Sequence, residues 1–236
     1  MSAPKAILFD LYNTLYEYEP CHAAALEAVA EVGIQEKLVY SIEEFHELYQ
    51  QARSEVKLRL GDVAASHHRL LYFQKIVERC FKRLAPPLVL QLYQTYWDIY
   101  VKRMVLDPGV EAFLSAMAER GVPMAVISDM TTDIQHRKLI KLEIDDFFQA
   151  MATSEEIGAE KPSPRLALAA MERLGVTAER SVWLIGDSPE RDLAMANRAE
   201  ISAVWRRRNP AETISGEAHA DYEFFDFGEL LAFTLT

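Results

Sequence analysis

Short apolar segments that alternate with helical patterns constrain the fold of this chain most. Six such segments are bounded by turn residues and read, in order, KAILFD, VPMAVISD, FFQAMATS, SVWLIGD, ISAVW and ADYEFFD. Strands that are apolar on both faces and separated by helices are typical of a parallel sheet covered on both sides. The pattern therefore predicts an α/β fold with a doubly wound, mostly parallel sheet.

One long segment breaks this alternation, because residues 16–104 show helical patterns only. Within it, Ser41 and Glu44 form the spacing of a capping box that begins a helix. A helical bundle inserted after the first strand explains this order of elements. The sequence therefore predicts an α/β core built from residues 1–15 and 105–236, with an all-helical domain at 16–104.

Composition excludes several classes of function. The formal charge of −11 over 236 residues gives little attraction for nucleic acid or for an anionic membrane. No run approaches the roughly 18 apolar residues that span a bilayer, and the first residues lack the layout of a signal peptide. The expected protein is cytoplasmic, with a small anionic substrate as its partner, and its oligomeric state stays open.

Polar residues stand at the carboxyl ends of three predicted strands: Asp10, Ser128 and Asp187. In open parallel sheets, ligands bind beyond these ends. A carboxylate held there can attack an electrophile and divide one difficult step into two easier ones. For an isolated aspartate a polar strand terminus would be the simpler interpretation, so the assignment of Asp10 as a nucleophile depends on the other motifs.

Four motifs occur in one order along the chain: FDLYNTL, VISDM, EKPSPR and LIGDSPERD. Their order and spacing, with a helical insertion between the first two, resemble the haloacid dehalogenase superfamily of hydrolases. The resemblance covers nearly the whole chain. It implies a Rossmann-like core, a helical cap at the first insertion position of that superfamily, and a covalent intermediate on Asp10.

The resemblance also implies a magnesium site. Asp187 would bind the metal, and Asp192 would support it or supply a ligand through water. Asp10 and the backbone carbonyl of Tyr12 would complete the protein ligands. Magnesium suits this set because it keeps several waters and needs only one or two carboxylates besides the substrate phosphate.

Further residues are expected around the substrate. The Ser128 hydroxyl, with the backbone N–H groups that follow, would hold a phosphate, although a helix N-cap is a compatible alternative. Asp129 and Thr14 would also contact the substrate or Asp10. Lys161 would offset the negative charge of Asp10 and substrate. The arginine run 206–208 is interpreted as a solvated loop, with attraction of an anionic substrate as the alternative.

Tyr12 separates two rival chemistries. Phosphatases of this resemblance usually carry an aspartate there as a general acid, whereas the haloacid dehalogenases themselves carry tyrosine. Three other positions depart from those dehalogenases, which have serine at Asp187, asparagine at Asp129 and tyrosine at Ala167. The sequence therefore favours a magnesium-dependent phosphohydrolase in which Asp10, Lys161 and Tyr12 are catalytic. A metal-free 2-haloacid dehalogenase is the second hypothesis, and a catalytically degenerate binding protein is the third.

Overall fold

The computed structural model describes residues 3–214, 216 and 218–235. The chain divides into two compact units. One unit contains residues 1–17 and 105–236, and the other contains residues 18–104. That the second unit acts as a cap remains a prediction.

A six-stranded parallel sheet forms the centre of the first unit, and its strand order is β3-β2-β1-β4-β5-β6. The first strand lies in the middle, where Phe9 pairs in register with Val126 on one side and Ile185 on the other. The predicted parallel α/β sheet is thus confirmed. The strands are β1 (Ala6–Phe9), β2 (Met124–Ser128), β3 (Ala150–Thr153), β4 (Val182–Gly186), β5 (Ser202–Arg206) and β6 (Tyr222–Phe224).

Helices cover both faces of this sheet, which is why its central strands are apolar throughout. Leu8 packs in one core cluster with Leu166 and Ala167. On the opposite face, the ring of Phe9 makes edge contacts with Phe113 and Phe148 at centroid distances of 6.2 and 5.8 Å. The helices around the sheet are α5 (Val110–Glu119), α6 (Thr132–Leu142), α7 (Ser154–Ile157), α8 (Arg165–Leu174), α9 (Ala194–Arg198) and α10 (Phe227–Leu235), with a π-helical turn at Pro189–Leu193 and a 3-10 turn at Asp145–Phe147.

The second unit is all-helical. Ser41 caps its second helix by accepting a hydrogen bond from the Glu44 N–H at 3.2 Å, as the capping box predicts. Its core is rich in aromatic rings, among them Tyr96 and Trp97, which meet edge to face at 5.0 Å. Among the described helices, none combines the length and the apolar character needed to cross a membrane. The helices are α1 (Tyr18–Gln35), α2 (Ile42–Leu60), α3 (Arg69–Phe81) and α4 (Pro86–Arg103), with a 3-10 turn at Ala64–His67.

The topology brings the sequence motifs to one edge of the sheet. Strands β1, β2 and β4 are parallel neighbours, so the residues at their carboxyl ends emerge side by side. Asp10 follows β1, Ser128 ends β2 and Asp187 follows β4.

Candidate active site

Asp10 is fixed in place by both its backbone and its side chain. Its N–H donates to the carbonyl of Ile185 at 2.9 Å, which extends the β1–β4 ladder by one residue. One carboxylate oxygen, Oδ2, accepts a hydrogen bond from the Thr14 hydroxyl at 3.0 Å. The other, Oδ1, lies 2.5 Å from the Lys161 ammonium. The carboxylate is therefore buried and held in one orientation.

Lys161 joins two of the motif aspartates. Its ammonium lies 2.5 Å from Asp10 Oδ1 and 2.7 Å from Asp192 Oδ1. Burial alone would lower the pKa of Lys161, but the neighbouring carboxylates of Asp10, Asp192 and Asp129 raise it above its ordinary value. The Lys161 ammonium is therefore held as a positive charge between two acids, and its expected role toward a substrate remains a prediction.

Three carboxylates converge at the sheet edge. Asp10, Asp187 and Asp192 each place one oxygen within 4.8 Å of the others. Gly186 makes this close approach possible, because a Cβ at that position would lie 2.4 Å from Cβ of Asp192. The Asp192 side chain is anchored by the Ser188 N–H, which donates to Oδ2 at 3.0 Å.

The crowding of these acids perturbs their protonation. Burial, with Asp192 adding to it and Lys161 opposing it, raises the pKa of Asp10 to about 6. Burial and the charges of Asp10 and Asp192 raise the pKa of Asp187 well above its ordinary value, while Lys161 and a hydrogen bond from the Asn13 side chain oppose the rise. Carboxylates held this close disfavour one another's ionised form, and a cation bound between them would lower their pKa values.

The donor set fits a hard divalent cation. All three side chains offer carboxylate oxygens, which magnesium prefers, and no nitrogen or sulfur ligand belongs to this described cluster. Both oxygens of Asp192 already accept hydrogen bonds, from Lys161 and from the Ser188 N–H. Both oxygens of Asp10 are bonded in the same way, by Thr14 and Lys161, and each carboxylate oxygen keeps a second lone pair. These bonds therefore orient the carboxylates and leave each of them able to offer an oxygen to a metal.

Ser128 presents a buried hydroxyl at the end of β2. The residue is fully buried, and its Oγ has no hydrogen-bond partner among the described residues. A buried polar group without a partner is rare in native structures and calls for an explanation such as an ion or a ligand. The observation is consistent with the predicted contact to a substrate phosphate.

Asp129 is engaged inside the protein. Its Oδ1 accepts a hydrogen bond from the Lys161 N–H at 2.8 Å, and its Oδ2 pairs with the Arg191 guanidinium. Burial raises the pKa of Asp129, and the charges of Lys161 and Arg191 oppose that rise. Because both oxygens are occupied, this geometry favours a role in positioning Lys161 over the predicted contact with substrate.

Tyr12 lies against a lysine that sequence reasoning did not identify. The Lys138 ammonium sits 3.5 Å from the centroid of the Tyr12 ring, and Lys138 is fully buried on α6. A cation over an aromatic face is stabilised by the ring quadrupole. One signal was present, since Lys138 stands four residues after Ile134 and four before Leu142 on the buried stripe of the helix.

Arg208, two residues after the end of β5, contacts the loop that contains Tyr12 and Asn13. Its guanidinium donates to the backbone carbonyl of Asn13 and pairs with the Asp107 carboxylate, and Nη1 lies 3.3 Å from Glu17. The Asn13 side chain in turn bonds Asp187, and its backbone has a positive φ of 52°. Arg208 is therefore tied to the acidic cluster and does not belong to a merely solvated loop.

Comparisons with known proteins agree with this geometry. A sequence model of the haloacid dehalogenase-like hydrolases matches residues 4–200. The ribulose-1,5-bisphosphate 5-phosphatase of Halopiger xanaduensis is 37% identical over 95% of this chain and 97% of its own length. A glyceraldehyde 3-phosphate phosphatase of Methanopyrus kandleri is 31% identical over 94% of this chain and 92% of its own length.

A solved structure agrees as well. The HAD phosphatase of Thermococcus onnurineus superposes with a TM-score of 0.75 at 25% identity, covering 99% of this chain and 97% of that one. The four motifs, the parallel sheet and the clustered acids lead to the same assignment as these matches. The chain belongs to the haloacid dehalogenase-like hydrolase family.

Proposed function

We propose that this protein is a magnesium-dependent phosphohydrolase of a small phosphorylated metabolite, acting through an aspartyl phosphate on Asp10. The observation that carries the proposal is that Asp10, Asp187 and Asp192 each place one oxygen within 4.8 Å of the others, with the Lys161 ammonium paired to Asp10 and Asp192. The names of two relatives support the substrate class, since one is a phosphatase of ribulose-1,5-bisphosphate and the other a phosphatase of glyceraldehyde 3-phosphate.

The first step is an attack by a carboxylate oxygen of Asp10 on phosphorus. An O–P bond forms to Asp10, and the bond between phosphorus and the leaving oxygen breaks. The hydrogen bond from Thr14 and the ion pair with Lys161 hold the carboxylate in position, so little reorganisation is needed. Since its pKa is raised only to about 6, Asp10 is mostly ionised at neutral pH and is a competent nucleophile.

Other residues bind and neutralise the phosphoryl group. The Ser128 hydroxyl is proposed to donate to one of its oxygens, and Lys161 offsets charge as it develops in the transition state. Magnesium, held by Asp10, Asp187 and the backbone carbonyl of Tyr12, would supply charge neutralisation for the transferring phosphoryl group. In a second step, water attacks the aspartyl phosphate, and inorganic phosphate leaves with Asp10 restored.

Tyr12 restricts which substrates react quickly. General acid–base help is typically worth about 10² to 10⁴ in rate, whereas enzymes accelerate phosphate-monoester hydrolysis by up to about 10²¹. Loss of a carboxylic acid at position 12 therefore weakens catalysis without abolishing it. We expect acyl and aryl phosphates, whose leaving groups need little protonation, to react faster than alkyl phosphates.

The helical unit is proposed to act as a cap that selects the substrate, as the sequence predicts. The cytoplasmic location expected from the sequence remains a prediction.

A panel of phosphate esters and 2-chloropropionate, each assayed with magnesium and with a chelator, tests the proposed reaction. We expect phosphate release that depends on magnesium and is abolished by Asp10→Asn. Halide release that resists the chelator would instead support the 2-haloacid dehalogenase that Tyr12 suggests. Activity that Asp10→Asn leaves unchanged would support the catalytically degenerate alternative.

A further inference from the structure

The helical unit contains a polar cavity of about 350 Å³ between α1 and α2. This volume falls at the lower end of the range for small-molecule sites, which is about 300 to 1,000 Å³. Six polar or charged side chains belong to its wall: Tyr18, Glu19, His22, His46, Gln50 and Arg53.

Helical spacing aims these side chains at the cavity. On α1, Tyr18 and His22 are four residues apart, and on α2 His46, Gln50 and Arg53 follow at intervals of four and three. Side chains with this spacing share one face of a helix. The two facing stripes therefore form the polar part of the wall, and Ala23 and Leu26 of α1 add an apolar part.

Positive groups crowd around His22. Burial, together with the charges of Arg69, Arg53 and His46, lowers the pKa of His22 to about 4. Arg69 is buried and donates to the Tyr18 hydroxyl at 3.1 Å. Cations that repel one another across a cavity are stabilised when an anion enters.

Glu19 is the carboxylate among the wall residues and offsets part of this charge; Glu19 and Arg53 both lie at exposed positions of their helices, whereas Arg69 is buried. Two guanidinium groups, Arg53 at the wall and Arg69 behind Tyr18, outnumber it. The local charge therefore favours an anion, in contrast to the net charge of −11 of the whole chain.

His46 supplies a second, independent observation. Its Nε2 is buried and has no hydrogen-bond partner among the described residues. The His22 ring, in contrast, is fixed by a 2.8 Å contact between Nδ1 and the Tyr96 hydroxyl and by stacking on Tyr18 at 5.0 Å. The fixed His22 ring shapes one side of the cavity, and the His46 Nε2 atom is available to a polar ligand.

We propose that this cavity binds the phosphate group of a small phosphorylated metabolite, with Arg53 and His46 contacting the anion. Tyr18 and Gln50 offer a hydroxyl and an amide to the hydroxyl groups of the same ligand. The proposal does not depend on Asp10 being a nucleophile, since all of its residues lie in the helical unit.

Histidine side-chain NMR with inorganic phosphate as the probe tests the proposal on the wild-type protein. We expect saturable shifts of the His22 and His46 signals, while His136 and His219 of the other unit serve as references. Arg53→Gln should weaken this phosphate affinity about tenfold, the loss of one charge-assisted hydrogen bond. Arg59→Gln is the matched control, because Arg59 is exposed on the same helix and should leave the affinity unchanged.

Kinetics separate the two sources of the phosphate group. If it belongs to a doubly anionic substrate, Arg53→Gln raises KM for a bisphosphate and leaves KM for p-nitrophenyl phosphate unchanged. If the phosphate group belongs to a separate metabolite, Arg53→Gln leaves both KM values unchanged but weakens the histidine NMR response to inorganic phosphate. Either result supports the site. Unperturbed His22 and His46 signals at saturating phosphate, or equal effects of the Arg53 and Arg59 variants, would overturn it, whether or not the protein hydrolyses phosphate esters.

Discussion

Replacement of Lys161 by methionine tests how the acidic cluster is held together. The Lys161 side chain is 3% exposed, and its ammonium joins Asp10 and Asp192, whose side chains are 8% and 2% exposed. Removing one partner of a buried ion pair typically costs about 3 to 5 kcal/mol, because the remaining charge is left without compensation. Here two carboxylates lose their cation at once, so we expect the free energy of unfolding to fall by an amount in the upper part of this range.

Urea unfolding in the presence of a chelator measures this loss. With a urea dependence of about 3 kcal/mol per molar, a loss of about 4 to 5 kcal/mol should lower the midpoint by roughly 1.3 to 1.7 M. Lys141→Met, at an exposed position of α6, is the control and should change stability by less than about 1 kcal/mol. Added magnesium should restore more stability to the Lys161 variant than to the wild type, since the variant site carries one more net negative charge. A loss no larger than that of the control would refute the reasoning.

Three further predictions follow from individual contacts. Gly186→Ala should reduce kcat by at least about tenfold and stability by about 1 to 3 kcal/mol, because the new Cβ would displace Asp192; unchanged kinetics would contradict the close approach. Tyr12→Asp should raise kcat/KM about 10²-fold for an alkyl phosphate and change kcat/KM little for an aryl phosphate. Equal effects on both substrates would show that a missing general acid does not explain slow hydrolysis of alkyl phosphates. His22 has a folded-state pKa lowered to about 4, so its contribution to stability is present above about pH 6.5 and is lost as the pH falls toward 4. Across this range, the unfolding free energy of the wild type should therefore decline by about 2 kcal/mol more than that of His22→Gln, with partial exposure of the ring taken into account; an equal decline in both would contradict the assignment.

The sheet and the position of the site could be predicted because they depend on local patterns. Each strand is a short apolar run, and the carboxyl ends of β1, β2 and β4 are marked by Asp10, Ser128 and Asp187. Parallel order then brings these residues to one edge, since the carboxyl ends of neighbouring parallel strands coincide. Lys161 could be placed near Asp10 only through the spacing of the four motifs.

Local patterns could not predict contacts between segments that lie far apart in the chain. Lysine is usually exposed, but Lys138 occupies a buried position on its helix. Nothing in the neighbouring sequence indicates that its ammonium lies over the Tyr12 ring. Arg208 looks like one member of a basic run, but its contact with the Asn13 carbonyl joins residues 195 positions apart. The cavity beside His22 requires the packing of α1 against α2, which periodicity alone does not specify.

Trapping the covalent intermediate tests the central claim most directly. The protein would be mixed with ³²P-labelled acetyl phosphate and magnesium, quenched rapidly in acid, digested and examined by mass spectrometry. The account predicts one labelled peptide carrying an added phosphoryl group on Asp10, absent when the chelator replaces magnesium and absent in Asp10→Asn. Steady hydrolysis of acetyl phosphate with no label on the protein, or with the label on another residue, would contradict it.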